Sequence, residues 1–290
     1  MCRWMAWSGQ PVIMEELLFK PKHGLIDQSL HSRMGVETTN GDGFGLGWYG
    51  TGDGPGVYHS ISPAWGDANI RELAAHIESS LFIAHVRATT GTAVQQTNCH
   101  PFRHGRWLFV HNGVLAGFPL MRRELMLAVD PALFDDMRGS TDSEVLFHLA
   151  LTFGLEQDPI AALERAIGLV EATASAHGID NPVQASIGVT DGERLWAIRY
   201  SSERRSRTLF VSADASSVRR LNPDNARLQR LRDGDRLVVS EPLADLPGVW
   251  TEIPEATAMI IQPGPDEQRP FTPVAPQPVA AGRPVASVPA

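Results

Sequence analysis

Apolar positions along the chain fall mainly into short runs with the spacing of β-strands. In the first half, such runs predict five strands, at residues 1–7, 44–49, 57–61, 81–88 and 106–113. The last run enters an Asn-Gly dipeptide, Asn112-Gly113, which is typical of a hairpin turn. In the second half, five more strands are predicted over QASIGVT, RLWAIRY, TLFVSA, DRLVVS and ATAMIIQ.

Four segments have helical character instead. A short helix is expected over MEELLFK, before Pro21, and a second within GDANIRELAAHIESS. The segment STDSEVLFHLALTF predicts a capped helix, because Ser140 or Thr141 can act as N-cap and Glu144 follows three residues after Thr141. A fourth helix is expected at about residues 159–177.

The order of these elements is strands, then helices, then strands again. It predicts an α+β fold in which mainly antiparallel sheets are covered by helices, rather than a regular βαβ array. We expect one domain over residues 1–262. Residues 263–290 are rich in proline, alanine and valine, and this composition predicts a disordered tail.

Composition and charge narrow the class of function. The 290 residues are 43% hydrophobic and 20% charged, and the net charge is −8. This balance disfavours nucleic-acid binding, since no surplus of lysine and arginine is present to neutralise phosphates. No apolar stretch is long enough for a membrane helix, and the first residues lack the pattern of a signal peptide. With only two cysteines, Cys2 and Cys99, we expect two free thiols and a cytoplasmic location.

Two patterns look like binding motifs but have better structural explanations. GLGWYG has the glycine spacing of a dinucleotide-binding loop, yet TGDGPG follows it and cannot begin the helix that such a loop needs. His100 and His104 lie four residues apart, but Pro101 and Gly105 prevent one helix from presenting both side chains. We therefore expect no cofactor and no metal ion.

Cys2 is the first candidate for chemistry. A cysteine is a good nucleophile only as thiolate, and the pKa of a free thiol is about 8.5, so the residue needs a base. If Met1 is removed, Cys2 carries a free α-amino group, whose pKa of about 7.7–8.0 lets it accept a proton near neutrality. Nucleophile and base then belong to one residue. The alternative is a cysteine that stands by chance in a first strand.

Three further positions suit an acyl-transfer centre. Asn112 and Gly113 could stabilise an oxyanion through a side-chain amide and a backbone N–H. Arg87 follows an apolar strand and could hold a carboxylate, while Asp142, in the first turn of a helix, could hold an ammonium group. Each position also has an ordinary explanation, namely a hairpin turn, a salt bridge and a helix cap.

Six motifs, taken in order, resemble one family. They are MCRW, NGDGFGLGWYG, FIAHVRATTG, NCHPF, LFVHNG and STDSEV, which together span Cys2 to Val145, half of the chain. The set is similar to the class II glutamine amidotransferases, which are N-terminal-nucleophile hydrolases. Within that family it is most similar to the stand-alone YafJ-like proteins. It also resembles the amidohydrolases of ergothioneine synthesis and the amidotransferase-like subunit of the fungal glutathione-degrading complex.

This resemblance implies a fold and a set of roles. The fold would be a four-layer αββα sandwich of mainly antiparallel sheets. Cys2 would attack the side-chain amide of glutamine, or another γ-glutamyl amide, and form a γ-glutamyl thioester, with Asn112 and Gly113 as the oxyanion hole. Arg87 would bind the substrate α-carboxylate, and Asp142 its α-amino group.

The resemblance also implies roles near Cys2 for two further segments. The glycine-rich turn that contains Asn40, Asp42 and Gly43 would lie close to it. The sequence RATTG is one residue shorter than the R-W-A-T-H-G common in the synthase members. Because of this difference in length, the threonine of the family motif can correspond to either Thr89 or Thr90, and one of the two would line the substrate pocket.

The residues after about position 150 are needed to complete this sandwich, so the sequence predicts no second, ammonia-consuming domain. The ammonia would then be used by a separate protein partner, or the reaction on a small-molecule substrate would be simple hydrolysis. Two alternatives stay open. One is hydrolysis of a larger γ-glutamyl compound, such as an ergothioneine precursor or a glutathione-like peptide, and the other is a non-catalytic subunit of the same fold that binds a partner. We expect no binding to nucleic acid or to membranes.

Overall fold

The computed structural model describes residues 2–34, 39–89, 91–246 and 248–275. The strands in these residues are β1 (Arg3–Ile13), β2 (Phe44–Trp48), β3 (Gly56–Ser60), β4 (Glu78–Val86), β5 (Phe102–His104), β6 (Trp107–Leu115), β7 (Val183–Thr190), β8 (Leu195–Ser201), β9 (Phe210–Ser212), β10 (Arg236–Val239), β11 (Trp250–Glu252), β12 (Thr257–Ile261) and β13 (Glu267–Pro270). The helices are α1 (Glu15–Leu18), α2 (Leu25–His31), α3 (Ala68–His76), α4 (Phe118–Leu127), α5 (Asp142–Thr152), α6 (Pro159–Ala176) and α7 (Ala215–Leu221).

The strands form two antiparallel sheets. The first has seven strands in the order β11-β9-β10-β1-β4-β2-β3, and the second has six in the order β13-β12-β8-β7-β6-β5. Strand β1, which begins at the amino terminus, lies in the middle of the first sheet, between β10 and β4. Cys2, which directly precedes β1, therefore lies at the end of a central strand of this sheet.

Three hydrophobic cores separate four layers. Side chains of β1 alternate between two of them: Trp4 and Ala6 pack between the sheets, while Met5 and Trp7 pack under α1, α2 and α3. The third core joins the outer face of the second sheet to α4, α5 and α6. This arrangement is the predicted αββα sandwich, and the predicted fold class is confirmed. None of the helices in the described residues is long and apolar enough to cross a membrane.

The predicted turn at Asn112-Gly113 was wrong. Both residues lie inside β6, where Asn112 pairs with Ser186 and Gly113 with Ala185 of β7. The ladder continues to Leu115, and the chain turns away only at Gly117, which has a φ of 72°. The pairing with β7 is a long-range contact that overrides the local preference of the dipeptide for a turn.

The predicted disorder after residue 262 was wrong for the part of the tail that the structure describes. Strand β13 pairs with β12 at the edge of the second sheet, a position where proline is tolerated. Phe271 follows and is buried, with its ring centroid 5.5 Å from that of Tyr200. The backbone N–H of Val274 then donates to the carbonyl oxygen of Glu164 on α6. Residues 276–290 lie outside the described residues, and the boundary of the domain at 262 stays a prediction.

Candidate active site

A cavity of about 300 Å³ opens where β1 and β4 of the first sheet meet β6 of the second and the start of α5. It brings together five of the residues predicted from the sequence, which are Cys2, Arg87, Thr89, Gly113 and Asp142. Other residues on its wall include Ala88, Thr92, His100, His111 and Ser143. We call this cavity the Cys2 cleft.

The thiol of Cys2 is free and half-buried. Its Sγ lies 3.4 Å from the backbone nitrogen of Ala88, which donates to it. Burial raises the pKa of this thiol, while the Ala88 N–H and the positive charges of the amino terminus and of Arg87 act in the opposite direction. Cys2 is therefore a thiol at rest that needs a base.

Cys99, the other cysteine, is also a free thiol, as expected. It is fully buried, and its Sγ lies 3.5 Å from the carbonyl oxygen of Ser60. Burial is the main cause that raises its pKa to about 11. Cys99 thus has the environment of a structural cysteine.

Arg87 is a buried cation whose hydrogen bonds go to neutral oxygens. Its guanidinium donates to the carbonyl oxygens of Asp42 (3.3 Å) and Ala93 (3.3 Å) and to the hydroxyls of Thr89 (3.2 Å) and Thr92 (2.6 Å). Within the described part of the chain, no carboxylate forms an ion pair with it. The cleft therefore contains a positive charge that protein groups hold in place but do not neutralise.

Asp142 is the first residue of α5, and the predicted helix cap is confirmed. The side chain of Thr141 is the N-cap and accepts from the backbone N–H of Glu144. Asp142 Oδ2 accepts from the N–H of Leu115 (2.8 Å) and its Oδ1 from the N–H of Ser143 (2.8 Å). These bonds join the end of β6 to the start of α5 and fix a carboxylate on the wall of the Cys2 cleft.

Gly113 and Asn112 lie on different cavities, because successive residues of a strand point to opposite faces of the sheet. Gly113 lines the Cys2 cleft, and a Cβ at this position would meet the carbonyl oxygen of Gln184 at 1.8 Å, so no side chain fits. Asn112 is buried and borders a second cavity of about 300 Å³ that Arg3 and Ser240 also line. Of the predicted oxyanion pair, the structure therefore places Gly113 on the Cys2 cleft and Asn112 on the second cavity.

The turn at Asn40–Gly43 supports the wall of the cleft without lining it. Asp42 accepts from the N–H of Thr89 through Oδ2 (2.7 Å), and its own N–H donates to the carbonyl oxygen of Arg87 (3.0 Å). Gly43 has a φ of 109°, and a Cβ there would lie 2.8 Å from Cys99 Sγ. Asn40 is fully buried, and its N–H donates to the carbonyl oxygen of Ser29.

The threonine that the sequence left open can be placed only in part. Thr89 lines the cleft and contacts Arg87, whereas Thr90 lies outside the described residues. Thr92, which sequence reasoning missed, binds both Arg87 and Thr89, the latter at 2.9 Å between the two hydroxyls. No motif marked it, because a threonine three residues beyond another is an ordinary sequence.

The histidines that suggested a metal motif have separate environments. His100 lines the cleft and its ring packs against that of His85, with centroids 4.4 Å apart. Burial lowers the pKa of His85 to about 3 and that of His100 well below its ordinary value, so both rings are neutral. His111 contacts the hydroxyl of Ser143 at 2.9 Å, and His104 pairs with Asp136 at 3.2 Å elsewhere.

Comparison with known proteins assigns the family. The family model of the class-II glutamine amidotransferases matches residues 25–266, which is most of the chain. The chain belongs to this family. This amidotransferase is 34% identical to the probable glutamine amidotransferase DUG3 of Saccharomyces cerevisiae, over 90% of its own length and 82% of that protein. It is 29% identical to the gamma-glutamyl-hercynylcysteine sulfoxide hydrolase of Mycolicibacterium smegmatis, over 88% of its length and 93% of the relative.

Solved structures support the same assignment. A glutamine aminotransferase class-II domain protein from Silicibacter pomeroyi superposes with a TM-score of 0.70 at 33% identity, over 94% of this amidotransferase and 100% of that chain. The glutamine phosphoribosylpyrophosphate amidotransferase of B. subtilis gives a TM-score of 0.60 at 16% identity and is covered over 49% of its length. The second likeness concerns the fold alone.

Proposed function

We propose that this amidotransferase cleaves the γ-amide of glutamine, or of a larger γ-glutamyl compound, with Cys2 as nucleophile after removal of Met1. The observation that carries the proposal is the content of one small cleft. It holds the thiol of Cys2, the un-neutralised guanidinium of Arg87 and the carboxylate of Asp142. These two charges complement the α-carboxylate and α-ammonium groups of a γ-glutamyl substrate.

In the proposed mechanism the free α-amine of Cys2 takes the thiol proton, and the thiolate attacks the γ-carbonyl carbon. A C–S bond forms as the carbonyl electrons move to oxygen. The collapse of this tetrahedral species breaks the C–N bond, and the ammonium group of Cys2 returns the proton to the leaving nitrogen. Water, activated by the same amine, then hydrolyses the γ-glutamyl thioester, which releases glutamate and restores the thiol.

The developing oxyanion is assigned to Gly113 and Asn112. Gly113 would donate its backbone N–H from the wall of the cleft, and Asn112, which lines the second cavity, would donate its side-chain amide. Arg87 would fix the substrate by a bidentate contact with the α-carboxylate. Asp142 would accept from the α-ammonium group.

Separate substitutions of the two cysteines test directly which of them is the nucleophile. Cys2→Ala removes the thiol but keeps a small second residue, so Met1 removal is unaffected, and release of glutamate from L-glutamine should fall to background. Cys99→Ser is the matched control and should keep most of the activity, because Cys99 has no place in the cleft. Turnover by Cys2→Ala would exclude the proposed nucleophile.

A larger γ-glutamyl compound is favoured as a second substrate class by the relative that is named for hydrolysis of a γ-glutamyl-hercynylcysteine sulfoxide. The kcat/KM for L-glutamine and for a panel of γ-glutamyl dipeptides distinguishes the two classes. A stimulation of glutamine turnover by an ammonia-using protein would point to a partner instead. The complete set of charged and nucleophilic groups in the cleft argues against a non-catalytic subunit, and the two free thiols are consistent with a cytoplasmic protein.

A further inference from the structure

Glu241 lies in a buried polar cluster that includes Arg3, the residue after Cys2. Its carboxylate is 2% exposed and accepts five hydrogen bonds. The donors are Arg3 Nε (3.0 Å), His23 Nε2 (2.6 Å), the Ser32 hydroxyl (3.1 Å) and the backbone N–H groups of Arg33 (2.8 Å) and Met34 (3.0 Å). One side chain thus fastens three separate segments of the chain to each other.

Arg3 connects this cluster to the proposed nucleophile. Its Nε donates to Glu241, its Nη1 donates to the carbonyl oxygen of Cys2 at 3.0 Å, and its Nη2 donates to the carbonyl oxygen of Met34.

Ser240, the residue before Glu241, binds the main chain of Trp4 through two hydrogen bonds. Its hydroxyl accepts from the N–H of Trp4 (3.1 Å), and its own N–H donates to the carbonyl oxygen of Trp4 (3.0 Å).

A nucleophile at the end of a chain needs such anchoring. Once Met1 is removed, Cys2 is fixed to the rest of the protein on one side only, and chain ends fray unless they are tied down. The ladder of β1 with β4 begins at Arg3, so it does not include Cys2. The bond from Arg3 to the Cys2 carbonyl is therefore a direct contact with the main chain of Cys2, and Glu241 accepts from the Nε of the same guanidinium.

We propose that Glu241 is a positioning residue for Cys2, acting through Arg3, and that it fixes the orientation of the amino-terminal nucleophile. This inference rests on the proposed function of Cys2. Glu241 itself touches no substrate. It accepts from Nε of the planar guanidinium of Arg3 and so favours the orientation in which Nη1 reaches the Cys2 carbonyl.

The test uses Glu241→Gln, Arg3→Lys and the double variant in the full chain, with glutamine hydrolysis as the assay. Glu171→Gln is the matched control, because Glu171 is a partly buried carboxylate of α6 that lies outside the cleft and accepts from the hydroxyls of Tyr200 and Ser202. Thermal unfolding of every variant is recorded, and kinetics are measured well below the transition. A displacement of about 1 Å in a reacting group can cost about 100-fold in rate.

We expect kcat to fall at least about 10-fold in each single variant while KM stays within about threefold, because substrate-binding groups are untouched. The double variant should be no slower than the slower single variant, since both changes break one chain of contacts. The inference is overturned if kcat of both single variants stays within about twofold of wild type, if the losses multiply, or if Glu171→Gln loses as much. Turnover by Cys2→Ala, measured alongside, would instead overturn the proposed function itself.

Discussion

The charge on Arg87 is the residue-level feature that most strongly indicates a ligand. A buried guanidinium usually has a carboxylate partner, because an unpaired buried charge is costly. Here the neighbouring groups are hydroxyls and carbonyl oxygens, which orient the cation without cancelling its charge. An anionic group of the substrate would complete the ion pair.

Replacement of Arg87 by lysine should therefore weaken substrate binding more than chemistry. Lysine keeps the charge but loses the planar fork, so we expect KM for L-glutamine to rise about 10-fold or more with a smaller change in kcat. Steady-state kinetics measure both parameters. Arg106→Lys is the control, because Arg106 pairs with Glu193 on the surface. An unchanged KM in Arg87→Lys would exclude Arg87 from substrate binding.

The low pKa of Glu241 makes the stability of the fold depend on pH. Burial alone would raise the pKa of its carboxyl, but the hydrogen bonds from His23, from the backbone of Arg33 and Met34 and from Arg3 outweigh it and lower the pKa from 4.5 to about 2. A group whose pKa is lower in the folded protein stabilises the fold above its unfolded pKa, and this stability is lost as the pH falls toward the folded value.

The free energy of unfolding of the wild type should therefore decrease between about pH 5 and pH 2, and part of that decrease should be absent in Glu241→Gln. Urea unfolding at a series of pH values gives the comparison. The two proteins should differ most near neutral pH and converge in acid. Parallel pH profiles would contradict the assignment of a low pKa to Glu241.

The residues of the site were predictable to different degrees. Cys2, Arg87, Gly113 and Asp142 stand in recognisable motifs, and the structure places all four on one cleft. Glu241 was not predictable, because its contacts with Arg3 span 238 positions and an isolated glutamate has no local signature. Contacts of this range are set by the fold and not by the neighbouring sequence.

Strands and helices with a clear apolar periodicity were predicted well from the sequence, and their first and last residues less well. Strands β7, β8 and β12 and helix α6 follow their apolar patterns closely. Helix α2, which supplies part of the layer above the first sheet, was missed, because it is short and begins after a glycine with no side-chain cap. The Asn112-Gly113 dipeptide and β13 were misjudged for one reason. Each is held in a sheet by a partner strand that local composition does not reveal.

The burial of Phe271 makes the end of the domain testable. Phe271→Ala should lower the free energy of unfolding by about 3–5 kcal/mol, since it removes a buried aromatic ring that packs on Tyr200. Val274→Ala is the control, because Val274 is 56% exposed, and its effect should stay within about 0.5 kcal/mol. Urea unfolding measures both. A Phe271→Ala protein as stable as wild type would mean that the burial of Phe271 does not stabilise the fold.

At the scale of the whole molecule, the cleft exists because two sheets and one helix meet. Cys2 and Arg87 come from the ends of β1 and β4, Gly113 from β6 of the other sheet, and Asp142 from the start of α5. Residues up to 140 positions apart in the sequence are thereby brought to one cavity. The sequence indicated the set of residues through the order of its motifs, but only the packing of the two sheets places them together.

The proposed function depends above all on Cys2, with its own α-amine free, being the nucleophile of this cleft. The most direct measurement is peptide mass mapping after incubation with an electrophilic analogue of glutamine. We expect a single adduct on Cys2, in a peptide that begins at Cys2 without Met1, and slower labelling in the presence of excess glutamine. An adduct on Cys99, or labelled and active protein that still carries Met1, would contradict it.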